Sequence, residues 1–341
     1  MKKNISIFSV IVVLFFVFTS CKNTFNIAAD WKEIPVVYGL LDADSSVQYI
    51  KIEKAFLDQH LSALQMASNP DSMYYHQTLN VKIDGYDQYG HYKETKIFTL
   101  IDGDTVPGLQ KQSGVFANSP NLFYRLKSTL KEAYTYNLTV TKADGSILTT
   151  SSTNLVGSST MLVSSPLSLL YRNDYNPKVL TAFEGGANAV YCDVTLRFRY
   201  SEKDLTTSIL THRYLDLPLF TQLAINPLTL VPEPQPTFDG RALYEFLEQE
   251  IPVNGNMQRT FEGIDFFIFG VNQNLVNYVN VQNAQAGITS GTAQLDYSNI
   301  KNGLGIFASR ATKVFPNYTL EAKTLDSLKT GKYTYNLGFN H

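Results

Sequence analysis

Between residues 78 and 86 apolar and polar side chains alternate without a break. Leu79, Val81 and Ile83 fall on one side, and Asn80, Lys82 and Asp84 on the other. Residues 134–141 repeat the pattern, with Tyr134, Tyr136, Leu138 and Val140 opposed by Thr135, Asn137, Thr139 and Thr141. A period of two marks a strand with one face buried and one in water; wound into a helix, the same residues would scatter their apolar groups all round. Asp144-Gly145 lies between the second of these stretches and Ile147-Leu148-Thr149, which predicts a hairpin with a two-residue turn. The chain is thereby committed to antiparallel β-structure.

Other segments fit the same frame. Residues 36–41 read as a buried strand. Residues 48–56 place Ile50, Ile52 and Phe56 inward against Lys51 and Glu53, residues 98–101 end at Asp102-Gly103, and Leu122, Tyr124 and Leu126 form a further inward face. Residues 57–73 read as a loop with one helical turn. Composition agrees: charged residues are only 17%, while 21 Tyr and 21 Phe supply the aromatic groups that pack well on a pleated surface. The expectation is a mainly β protein, with an immunoglobulin- or fibronectin-like antiparallel sandwich over residues 34–155. Residues 149–165 are rich in Ser and Thr and stop before Pro166, which predicts a linker.

Residues 156–341 predict a larger β-rich domain with a few short helices. Residues 189–200 alternate strongly, with Val190, Cys192, Val194, Leu196 and Phe198 on one face, so Cys192 is expected to be buried and inert. Asp239 is placed to cap a helix over 241–250 that carries Leu243, Phe246 and Leu247 on one side. A second helix is expected over 274–285, with Leu275, Tyr278 and Val279 along one side. Strands are predicted over 261–271, 305–309 and 314–320.

The first twenty residues have a different character. Lys2 and Lys3 precede an apolar run over 5–18, followed by Thr19, Ser20 and Cys21. This is the secretory signal pattern, and the run is shorter than the roughly 20 apolar residues a spanning helix needs. The cysteine after small residues resembles the lipobox of bacterial lipoproteins, with Phe18 departing from the commoner Leu. That resemblance implies a signal peptide over 1–20, acylation (palmitate-type chains) of Cys21 and a lipidated tether over 21–33. The expected address is the cell envelope, lipid-anchored in the outer membrane, with the face it occupies left open. If Cys21 is acylated, Cys192 is the sole remaining cysteine and no disulfide framework is expected. A balance of 28 basic against 30 acidic residues gives no electrostatic case for a nucleic-acid partner.

Tyr297-Ser298-Asn299-Ile300-Lys301-Asn302-Gly303-Leu304-Gly305-Ile306-Phe307 resembles the YSNI-x-x-GLG-x-F stretch of a family of Bacteroidetes-type outer-membrane lipoproteins of unknown function. Residues 36–56 are in keeping with that family's opening strands. The resemblance implies an N-terminal immunoglobulin-like domain, a C-terminal β-rich domain, and a part in envelope transport or substrate capture beside an outer-membrane nutrient receptor. It supplies no catalytic residues. The residues themselves read as a glycine turn closing the second domain, with a ligand loop as the alternative.

No motif in the sequence predicts a catalytic, cofactor or metal site. His60, His76, His91, His212 and His341 show no metal-ligand spacing. Glu245, Glu248 and Glu250 belong to the polar side of the predicted helix, and Asp42-Ala43-Asp44 lacks the spacing and distal Glu of a calcium loop. Tyrosines clustered in expected loops, Tyr74 and Tyr75 with Tyr86, Tyr89 and Tyr92, are the candidate ligand surface. The expected function is a non-enzymatic, membrane-tethered binding or assembly component of the envelope associated with outer-membrane nutrient uptake. The alternatives are an envelope hydrolase acting on glycans or peptides and a purely structural envelope protein.

Overall fold

A computed structural model describes residues 34–55, 62–169, 178–180, 182–286 and 297–340. The expected signal peptide over 1–20, Cys21 and the expected tether over 21–33 lie outside the described residues, as do Phe56, His60 and His341. Among the described residues the fold is mainly β and sandwich-like, with five short helices.

The first half contributes β1 (Pro35–Asp42), β2 (Val47–Lys54), α1 (Ala63–Ala67), α2 (Pro70–Met73), β3 (Asn80–Tyr86), β4 (Tyr92–Ile97), β5 (Thr99–Asp102), β6 (Leu122–Lys127), β7 (Thr135–Thr141) and β8 (Ile147–Asn154). The short strands β9 (Thr160–Met161), β10 (Lys178–Leu180) and β11 (Phe183–Glu184) follow. The second half adds β12 (Tyr191–Asp204), β13 (Leu210–Ala224), β14 (Thr237–Asp239), α3 (Gly240–Glu250), β15 (Met257–Val271), α4 (Gln273–Ala286), β16 (Leu304–Tyr318), α5 (Ala322–Thr330) and β17 (Phe339–Asn340).

These strands build two main sheets. A four-stranded sheet runs β4-β3-β7-β8, and a nine-stranded sheet runs β13-β12-β15-β16-β1-β2-β6-β5 with β17 paired to β15. Two cores result. One gathers Val37, Ile50, Ile83, Tyr136 and Leu138 between the four-stranded sheet and the β1–β2–β6–β5 end of the large one. The other gathers Cys192, Leu196, Phe198, Phe266 and Ile268 against Leu243 and Leu247 of α3 and Leu328 of α5. The chain passes from one core to the other between Leu155 and Val156.

The large sheet nevertheless crosses that point. β1 pairs in parallel with the first half of β16, Val36 beside Leu304 through Asp42 beside Arg310. The second half of β16 pairs antiparallel with β15, from Val271 beside Arg310 to Ile264 beside Tyr318. The strands expected at 305–309 and 314–320 are therefore one continuous strand that serves both lobes.

The 297–307 stretch is the latch of this join. Asn299 bonds the backbone of Phe307 twice, accepting from its N–H at 2.9 Å and donating to its carbonyl at 2.7 Å. Thr149 and Ser151 on β8 donate to the carbonyls of Lys301 and Asn299 at 2.6 and 2.7 Å. Ile300 and Phe307 enter the first core, so the turn closes the first lobe and not, as its position predicts, the second. Gly305 has φ +98°, and a Cβ there would lie 2.1 Å from the Val37 carbonyl oxygen, so only glycine lets β16 lie this close to β1.

Two further expectations need correction. Residues 149–154 of the predicted Ser/Thr-rich linker continue the strand expected from Ile147 and complete β8, because alternate residues Thr149 and Thr153 are buried while their hydroxyls find partners. The β7–β8 turn is also longer than two residues: Lys142 and Ser146 close it, with Gly145 at φ +83° supplying the left-handed position of a bulged three-residue loop.

Candidate functional site

Helix α4 creates the most distinctive surface. Asn272, itself buried, caps it by accepting from the Leu275 N–H at 3.2 Å. The helix carries no charged residue. It crosses the face of the large sheet that points away from both cores and covers Ile306 and Ala308 of β16, which are buried there. A groove runs along each flank, and Leu275 lines both.

The larger groove has a volume of about 480 Å³ and is floored by β1, β2 and β16. Tyr38, Tyr49 and Tyr278 line it together with the ion pair of Asp42 and Arg310, whose Nε lies 3.4 Å from the carboxylate. Burial raises the Asp42 pKa, opposed by the Asp44 backbone N–H and by Arg310. Gln48 fixes the turn that carries Asp42. Its buried amide accepts from the Asp42 N–H at 2.9 Å and donates to the carbonyls of Asp42 and Ser45 at 2.8 and 3.0 Å.

The smaller groove, of about 220 Å³, is floored by β12 and β15 and lined by Tyr191, Phe269, Val279, Asp193 and Gln222. Asp193 accepts the Gln222 N–H at 2.7 Å. Each groove thus contains one carboxylate. Beyond it on the same face Arg197 lies 4.1 Å above the Tyr214 ring and 4.6 Å from that of Phe267, with two bonds to Asp216 at 2.7 and 2.8 Å.

A third cleft, of about 430 Å³, sits at the seam between the lobes and is rich in amides. Those amides already serve the fold. Asn272 donates to the Thr153 hydroxyl and the Asn154 carbonyl at 2.8 and 3.1 Å, and Asn188 donates to the Leu155 carbonyl at 2.9 Å. We therefore assign the seam to holding the lobes together.

The five tyrosines singled out in the sequence do not form one surface. Tyr74 is buried, and burial pushes its hydroxyl up to about 12. Tyr75 packs against the first core. Both precede β3, whereas Tyr86, Tyr89 and Tyr92 lie at its far end, separated by a strand of about 20 Å. There Tyr86 and Tyr92 meet edge to face at 5.9 Å, and Tyr89 is open to solvent. The hairpin is held by Asp87, which pairs with Lys93 at 2.9 Å and accepts from the N–H groups of Tyr89 and His91; these bonds hold its carboxyl far below the usual range.

The groove tyrosines escaped sequence reading because Tyr38 and Tyr49 sit inside regular strands and Tyr278 on a helix. The one available signal was the charge-free, Asn- and Gln-rich composition of residues 273–286, which sets that helix apart from an ordinary solvated one. Among the described residues no group of three or more His, Cys, Asp or Glu side chains is placed to hold a metal ion, and no helix is long and apolar enough to cross a membrane. No protein-family model matches the chain, and no curated protein matches it.

Proposed function

We propose that this protein is a lipid-anchored binding or assembly component of the cell envelope, held by Cys21 at the outer membrane and working beside nutrient-uptake machinery without catalysing a reaction. The observation that carries the binding role is the larger α4 groove. Its size falls within the roughly 300–1,000 Å³ of small-molecule sites, and it combines aromatic walls with a few fixed polar groups. One carboxylate per groove supports binding over glycoside hydrolysis, for which two carboxyl groups about 5–10 Å apart are the usual requirement. The tether rests on the lipobox, and the link to uptake rests on the resemblance of the 297–307 stretch.

Fractionation of cells expressing the full chain tests this reading. The wild type is expected in the membrane fraction, recovered from detergent extracts with an outer-membrane receptor, and Cys21→Ala in the soluble fraction. Retention of Cys21→Ala in membranes would overturn the anchor, and repeated recovery of the wild type without any partner would overturn the association.

A further inference from the structure

We infer that the larger α4 groove binds neutral oligosaccharide. This inference rests on the binding role proposed above and names its ligand class.

Tyr38 is the first observation. β1 is an interior strand, paired on both edges by β16 and β2. Every other residue of β1 is buried or half-buried, yet Tyr38 is 44% exposed. Leu275 and Tyr278 of helix α4 line the same groove as Tyr38. Tyr38 stands opposite Lys51 on β2, so Tyr49 is its diagonal neighbour on the same face, at about 7–8 Å by strand geometry. The Tyr49 ring is fixed edge to face against Phe123 at 6.3 Å. Tyr278 adds a third ring from the helix side. Three phenols in one open cleft offer flat apolar faces with hydroxyl rims.

The polar groups are the second observation. Asp42 and Arg310 neutralise one another, and Lys51, opposite Tyr38 on β2, is paired with Glu53 at 3.2 Å. The groove therefore has no net charge with which to select an ion. Gln48 braces the turn that presents the carboxylate, and Arg310 pairs with it, so an acceptor and a donor stand side by side.

The ligand chemistry follows by elimination. A wholly apolar ligand would strip water from Asp42 and Arg310 and offer them no hydrogen bond in return, which disfavours it. An anion meets Asp42, and a cation meets Arg310. A pyranose satisfies all parts at once: its C–H face lies on a tyrosine ring, and adjacent hydroxyls donate to Asp42 and accept from Arg310.

The test is an array of neutral glucose-, mannose-, galactose- and xylose-based oligosaccharides probed with the full chain in detergent, with acidic oligosaccharides and a peptide library on the same array. The expected result is binding to neutral glycans that weakens about three- to tenfold in Tyr38→Ala and in Tyr278→Ala, the effect of losing one stacking partner. Tyr38→Phe keeps the ring and is expected to keep most of the affinity, and Tyr214→Ala, outside the groove, to keep all of it. Thermal melts of each variant separate lost binding from lost folding. No neutral-glycan binding, selective binding of peptides or acidic glycans, or affinity that survives both alanine variants would overturn the ligand class. If receptor co-purification persists in any of these cases, the ligand assignment fails while the broader binding reading stands.

Discussion

The N-terminal lobe closes sheet upon sheet, whereas the C-terminal lobe closes its half of the large sheet with helices α3 and α5. The difference decides where each lobe finds its last pieces. Among the described residues, every member of the second core comes from after residue 155. The first core is incomplete without Ile300 and Phe307, delivered from the far end of the sequence. Parallel pairing of β1 with β16 is what makes that delivery possible, since parallel strands require a long crossover. Here the crossover contains the second lobe.

Removing Phe307 should expose this dependence most sharply. The side chain is fully buried, and Phe307→Ala should cost about 3–5 kcal/mol. Hydrogen exchange should show β3 and β7 losing protection although the mutation lies in the second half of the chain. Loss confined to β12 and β15 would contradict the shared-strand arrangement.

Arg259 offers the matching test in the second lobe. It is 1% exposed, lies 2.9 Å from Glu202 and donates to the carbonyls of Leu337 and Pro252. Arg259→Ala should cost about 3 kcal/mol, as expected when a buried ion pair loses one partner. Arg213, which meets the same Glu202 at 3.1 Å with its side chain 56% exposed, should cost at most about 1 kcal/mol when replaced by Ala. Denaturant titrations of the two variants check the contrast.

At the seam, Asn272→Ala removes the donor to Thr153 and Asn154 together with the α4 cap. A loss of about 1–3 kcal/mol is expected for buried groups left unpaired. Unfolding should become less cooperative, with the two lobes separating in the denaturant curve.

The contrast between the lobes also explains what the sequence disclosed. The alternation in residues 78–86 and 134–141 is a local property, and β3 and β7 are found there. Strand β12 was legible for the same reason, from Val194, Leu196 and Phe198. The role of Phe307 was not legible, because nothing local marks which of two cores an apolar residue enters. The start of β8 was legible as the second strand of the hairpin, but its continuation past Thr149 was hidden, because Thr149 and Ser151 bond through their hydroxyls to a segment about 150 residues away, which composition cannot reveal. The groove was hidden likewise: Tyr38 differs from a core tyrosine only in where α4 happens to lie.

The smallest expected effect concerns Cys192. Burial pushes its thiol up to about 12, from 9.0 for an exposed thiol. A raised folded-state pKa means the contribution of this group is fully present below the unfolded pKa and is lost as pH rises through the folded one, here between about 9 and about 12. Native protein at pH 8 should resist alkylation, and unfolded protein should react at once. Cys192→Ala should soften the decline of stability in that alkaline range without removing it, because buried Tyr136 and Tyr244 are raised by burial as well.

The groove beside α4 is where this protein is proposed to meet its ligand. Hydrogen exchange of the full chain, with and without a neutral oligosaccharide retained on the array, tests it directly. Protection concentrated in Pro35–Asp42, Val47–Lys54 and Gln273–Ala286 is the predicted result. Protection confined to the Tyr86–Tyr92 hairpin or to the seam would contradict it.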